Sequence, residues 1–182
     1  MELTGDRPAG AVGSAPGTEA VPPSDAAAVA ALLGRVPRGA FEVAVRGPDG
    51  GPVVIRNAPL LYDGTPMPTR YWLVGRAERE AVSRLESAGG VRAAEEAVDP
   101  EALAAAHRAY AAERDAALPP GHPGPRPSAG VGGTRRGVKC LHAHYAWYLA
   151  GGDDPVGRWV AERQAEGAVA GLPPAARLAE RR

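Results

Sequence analysis

The side chains best suited to chemistry lie close together in the stretch Arg135-Arg136-Gly137-Val138-Lys139-Cys140-Leu141-His142-Ala143-His144. Cys140 is the sole cysteine, and His142 and His144 are two of the four histidines. Read as one helix over 138–149, the spacing puts Cys140, His144 and Trp147 on one side and Val138, Leu141, His142, Tyr145, Tyr148 and Leu149 on the other. An imidazole one turn from a thiol, with cations and a helix N-terminus nearby, favours thiolate. That is the chemistry of a small enzyme with Cys140 as nucleophile and His144 or His142 as base. No orienting acid is evident beside the pair. The plainer reading makes Cys140 a small buried hydrophobe and His142 a core-edge imidazole with one hydrogen-bond partner. As metal ligands the three residues supply two or three donors, short of a closed tetrahedral site. Cys140 and His142 stand about 160° apart around the axis, so all three converge only if the helix starts late.

The same place offers an anion site. Gly130-Val-Gly-Gly-Thr-Arg-Arg-Gly-Val-Lys139 is a glycine-rich loop running into a helix N-terminus, where free N–H groups and the dipole suit phosphate or carboxylate. Arg135, Arg136 and Lys139 would hold the anion. Asp63, Thr65, Tyr71 and His142 would line a pocket where the 58–69 loop meets the helix. The loop is not a Walker A motif, since Val138 stands where that motif needs Lys and no strand precedes it. Its plainer reading is a linker with solvated arginines. The aromatics Tyr71, Trp72, Tyr145, Trp147 and Tyr148 read as core rather than as stacking platforms for nucleic acid.

These residues need a frame, and the composition says where it is. The 182 residues include 24 Gly, 19 Pro and 38 Ala, with 21 Lys+Arg against 21 Asp+Glu. Zero net charge argues against a general polyanion binder. No run of roughly eighteen apolar residues is present, so no membrane span is expected. One cysteine makes no internal disulfide, and a cytoplasmic protein is the expectation. Residues 1–23 and 167–182 read as a disordered tail and a frayed end around one domain, 24–166. Within it, 119–134 reads as a flexible Pro/Gly-rich linker.

Inside the domain a helix is expected from Asp25 to Leu33. Phe41–Val45 alternates with period two, with Phe41, Val43 and Val45 on one side, and Pro52–Arg56 follows a Gly/Pro/Asp turn, which makes a hairpin. Tyr71–Val74 supplies a third strand. The long 58–69 connection carries Leu60, Leu61, Tyr62 and Met67, and a loop of that length is often functional. Helices are expected over 76–88, for a turn or two over 91–98, from the Asp99-Pro100-Glu101 start to about Leu118, over 138–149, and from Asp154-Pro155 to about Ala165. The 138–149 helix is apolar nearly all round, which places it between layers. The expected class is α+β: a small three-stranded antiparallel sheet packed against about four to five helices.

The segments Gly34-Arg-Val-Pro-Arg-Gly39, Ala58-Pro through Asp63-Gly-Thr-Pro-Met-Pro-Thr-Arg-Tyr-Trp-Leu73, Ser83-Arg-Leu-Glu86 and Val138-Lys-Cys-Leu-His-Ala143 resemble, in order, the actinobacterial family called domain of unknown function 501. The resemblance spans roughly residues 25–165. It implies a cytoplasmic protein, and it implies no mechanism. It also points to a departure. Members commonly carry Cys-Pro where this chain has Gly47-Pro48, and Cys or His near the position of Gly75. With Cys140 and His142 those would resemble a four-ligand zinc site. Here two of the four are glycine, which implies a degenerate site that holds no metal. No cofactor is expected. The leading expectation is a non-catalytic binding or scaffold domain for a small anionic or phosphate-containing ligand or a protein partner.

Overall fold

The computed structural model describes residues 23–169; residues 1–22 of the expected tail and 170–182 of the expected frayed end lie outside that range. Helix α1 (Pro23–Leu33) is followed by strands β1 (Phe41–Arg46), β2 (Pro52–Asn57) and β3 (Tyr71–Leu73). Helices α2 (Arg76–Ser87), α3 (Gly90–Ala97), α4 (Pro100–Ala116), α5 (Leu141–Leu149) and α6 (Pro155–Val169) complete the described chain. The class is α+β, with one antiparallel sheet in the order β1-β2-β3. Six α-helices surround it, and α3, with 8 residues, is the helical turn or two expected there.

The sheet is buried on both faces, and a β-bulge explains how. Val43 pairs with Ile55, but the next pair is Val45 with Val54, so Ala44 is an extra residue. A bulge of this kind breaks the two-residue alternation. The expected common face of Phe41, Val43 and Val45 is therefore not formed. Phe41 and Val43 pack with Ile55, Val74, Trp72 and the Val29, Leu32 and Leu33 face of α1. Val45 joins Val54, Leu73 and Tyr71 against Leu141, Tyr145, Ala146 and Trp147 of α5. α1 is further fastened by an ion pair between Asp25 and Arg46 at 2.6 Å, and by Arg79 donating to the Leu32 carbonyl at 2.9 Å.

α5 is the central helix its all-round apolar character predicts, lying between β3, α2 and α6. α4 starts as its sequence requires: the Asp99 carboxylate accepts the Ala102 N–H at 2.9 Å, with Pro100 at the first helical position. From its middle turns α4 reaches back to the sheet. The Tyr110 hydroxyl accepts the Arg70 N–H at 2.6 Å and the Tyr71 N–H at 3.4 Å. Glu113 binds Arg70 at 3.2 Å, the Tyr71 hydroxyl, and the Trp147 indole N–H at 3.0 Å. Burial pushes the Tyr110 phenol up to about 12, so it stays protonated at any working pH. Tyr110→Phe removes the acceptor for both amides, and a buried N–H left unpaired costs about 1–3 kcal/mol. Urea unfolding is expected to show a loss of that size with an unchanged slope.

The 119–134 segment, expected to be flexible, is fastened along α4. Arg114, 1% exposed, donates to the carbonyls of Ser128 at 3.2 Å and Ala129 at 2.6 Å. The Val131 N–H donates to His107 Nδ1 at 3.0 Å. Leu118, Pro127 and Val131 are buried. Proline and glycine shape this segment, while buried side chains and a buried guanidinium fix its path.

Candidate functional site

The helix carrying the reactive residues starts three residues later than its sequence suggests. Gly137 takes a left-handed φ of 64° and Cys140 is extended, so the first helical residue is Leu141. Two acids from neighbouring helices meet this approach. Glu86 of α2 accepts the Leu141 N–H at 2.6 Å and stands 3.1 Å from His142 Nδ1. Glu95 of α3 accepts the Val138 N–H at 3.3 Å. The protein's own carboxylates thus take N–H groups that the sequence offered to an external anion.

Cys140 sits half-buried at the N-cap. Burial pushes its thiol up. The amides of Ala143 and His142 and the charge of Lys139 pull down without reversing the shift, and Glu86 adds to it. His142 leans on α2, with Nε2 3.2 Å from Ser83 Oγ and 3.3 Å from the Arg79 carbonyl. His144 turns the opposite way into the core. Its Nδ1 lies 2.7 Å from Asp154 Oδ2, both side chains fully buried. Asp154 Oδ1 accepts the N–H groups of Val156 and Gly157 at 2.9 Å each, capping α6. The orienting acid missed in the sequence is therefore Asp154. Its position as a helix cap was legible; its pairing with His144 was not, because that depends on how α6 folds back on α5.

The His107 ring stands edge-on to His144, centroids 5.7 Å apart. Its Nδ1 accepts the Val131 N–H, so Nε2 carries the hydrogen and faces the Gly137 carbonyl at 3.0 Å. Burial pulls the His107 pKa below 6.5. A depressed imidazole pKa means that the unfolded chain binds the proton more readily. The resulting stability is full above about 6.5 and is lost as pH falls below it toward the folded-state pKa. Carbon-13 or nitrogen-15 NMR titration is expected to find His107 protonating at lower pH than an unperturbed histidine, while the melting temperature falls on acidification from pH 7.

The expected pocket is distributed over three settings. Asp63 binds Arg38 at 3.1 Å and accepts the Thr65 N–H at 2.9 Å, and the Thr65 amide holds its carboxyl below the usual range. Tyr71 bonds to Glu113, and His142 to Glu86 and Ser83. Arg135, Arg136 and Lys139 are exposed, and among the described residues no carboxylate pairs with them. Gly47 and Gly75 border the same residue: an added Cβ would lie 3.4 Å from Val53 Cγ2 at Gly47 and 3.2 Å from Val53 Cα at Gly75. At Gly75 it would also lie 2.3 Å from Glu78 Oε2, so a larger residue there needs Glu78 to move. Among the described residues no group of three or more His, Cys, Asp or Glu is arranged to hold a metal.

A feature outside the expected site lies on the α1 side of the sheet. A cavity of about 150 Å³ is lined by Arg35, Arg38, Asn57, Leu61, Met67 and Trp72. The Arg35 guanidinium lies 5.2 Å over the Trp72 ring. The sequence signal was the 58–69 loop; the contribution of the 34–39 turn emerges only once β1 and β2 bring the two together.

These elements define a layered α+β domain. No helix among them is long and apolar enough to cross a membrane. The chain belongs to the family described as protein of unknown function (DUF501), whose model matches residues 43–162, from the middle of β1 into α6. No curated protein and no solved structure matches it.

Proposed function

We propose that this chain is a non-catalytic, cytoplasmic binding domain whose ligand carries negative charge, taken by Arg135, Arg136 and Lys139. The observation behind the reading is the company the reactive side chains keep. Cys140 has a raised pKa, His142 is engaged by Glu86, and His144 is sealed against Asp154. A nucleophile needs a base within reach and a lowered pKa, and Cys140 has neither. The three cations beside α5 have no such engagement. Because Glu86 and Glu95 occupy nearby amides, the anion would be held by side chains rather than by the helix terminus.

Two measurements test this. A thiol reagent is expected to leave Cys140 unmodified in the native protein and to label it on unfolding; fast native labelling would favour the enzyme with Cys140 as nucleophile. A thermal-shift series with phosphate, polyphosphate and nucleotides is expected to stabilise the wild type and not the Arg135→Ala/Arg136→Ala variant. No shift with any of them removes the anion and leaves a scaffold.

A further inference from the structure

We propose that the groove between the 34–39 turn and the 58–69 loop docks a short acidic segment of a partner protein, with one apolar side chain in the cavity and flanking carboxylates on Arg35 and Arg38. The site is separate from the cations at 135–139 and does not rest on them.

Size decides against a small-molecule site. Pockets for cofactors and metabolites span about 300–1,000 Å³, and this one holds about 150 Å³, the room of a single side chain. Its chemistry is that of an interface anchor. Arg and Trp, with Tyr, dominate the centres of protein interfaces, and Met67 and Leu61 supply the apolar floor. The rim points the same way. Val36 and Tyr62, each 77% exposed, are the large hydrophobics left exposed among the described residues. Val36 lies in the turn between Arg35 and Pro37, and the Tyr62 N–H donates to the Arg38 carbonyl at 3.0 Å. Both therefore flank the same groove, and exposed apolar surface gathered in one place marks an interaction site.

Charge selects the partner. The cavity wall carries two guanidinium groups and no carboxylate. The Arg35 guanidinium carbon lies 5.2 Å from the Trp72 ring centroid, and among the described residues no carboxylate pairs with it, so its N–H donors remain for a partner's carboxylate. Arg38 pairs with Asp63 of the same loop, with side chains 67% and 53% exposed. An exposed pair of this kind holds weakly and exchanges readily, so Asp63 stands where a partner carboxylate would compete.

The walls are also set in advance. Inside the loop, Leu61 N–H donates to the Thr65 carbonyl at 2.9 Å, Gly64 to Leu61 at 3.0 Å and Met67 to Pro59 at 2.8 Å. Leu60 and Pro66 form a β-bridge. The Ala58 N–H donates to the Ala40 carbonyl at 2.8 Å, tying loop to turn. A site built this way loses little conformational freedom on binding.

The test is an array of ten-residue peptides rich in Asp and Glu, each carrying one Leu, Phe or Tyr, read by fluorescence anisotropy against the full chain. Acidic members are expected to bind, with affinity falling roughly tenfold or more in Arg38→Ala and in Tyr62→Ala. Neither of these exposed positions should alter the melting temperature. Counterparts with Asn and Gln in place of the acids are expected to bind much more weakly. Absence of binding by every member, or equal binding by wild type and both variants, overturns the proposal. Binding that appears only after deletion of residues 1–22 would make this chain's own N-terminal segment the occupant. Concentration-dependent dimerisation abolished by Tyr62→Ala would make it a second copy. Either result overturns the partner assignment.

Discussion

Asp154→Ala is expected to destabilise the fold by about 2–4 kcal/mol, from about 1–3 kcal/mol for a buried polar group left without its hydrogen-bond partner and about 1 kcal/mol for a lost helix cap. Two losses combine in that figure. His144 keeps a buried ring whose Nδ1 then has no partner, and its Nε2 already has none. The amides of Val156 and Gly157 lose their shared acceptor at the start of α6. Asp154→Asn separates the two, because Asn caps a helix about as well as Asp while removing the charge opposite His144. Urea unfolding should therefore rank wild type above Asn and Asn above Ala. An alanine cost near 1 kcal/mol would reduce Asp154 to a helix cap and deny the pair its role.

The second large effect is expected at Arg114. Arg114→Met keeps much of the buried aliphatic stem and removes the donors to Ser128 and Ala129. Loss of charge-assisted bonds of this kind costs about 1.5–3 kcal/mol. The position is sensitive for a further reason. Ala129 holds a left-handed φ of 67°, a conformation unfavourable to a residue with a Cβ, and the guanidinium bonds its carbonyl. Without Arg114 the chain around Ala129 is expected to relax, and limited proteolysis should cut within 119–134 at protease levels that leave the wild type whole. Resistance equal to wild type would show that Val131 and His107 suffice to hold the segment.

The strands, the Asp99 cap and the central place of α5 were legible because each follows from local pattern: alternation, a capping residue before proline, an apolar surface all round. The late start of α5 was not, because it depends on Glu86 and Glu95 arriving from other helices. The cysteine and histidines drew attention by their types and spacing. Yet spacing along a helix fixes a face, and what occupies that face is set by elements distant in sequence. Thus His144 finds Asp154 across a turn, and His142 finds Glu86 on α2. The 119–134 segment shows the same limit. Its composition has the marks of a linker, and its fastening rests on Arg114, one charged side chain whose burial no local pattern reveals. The Arg35–Trp72 pair joins a turn to a strand more than thirty residues on, a contact no periodicity encodes.

The extra residue at Ala44 carries a consequence for how sequence change propagates. It makes β1 answer to two masters: Phe41 and Val43 to α1, and Val45 to α5. Truncations at Val43 and Val45, only two positions apart, should therefore behave as independent events whose energies sum, as residues without shared partners do. Deleting Ala44 would remove the bulge and still leave Val45 on the α5 face, because consecutive residues of a regular strand point to opposite sides. The two layers can thus accumulate side-chain changes separately, and at Ala44 the strand that joins them has a residue it can lose without exchanging one layer for the other.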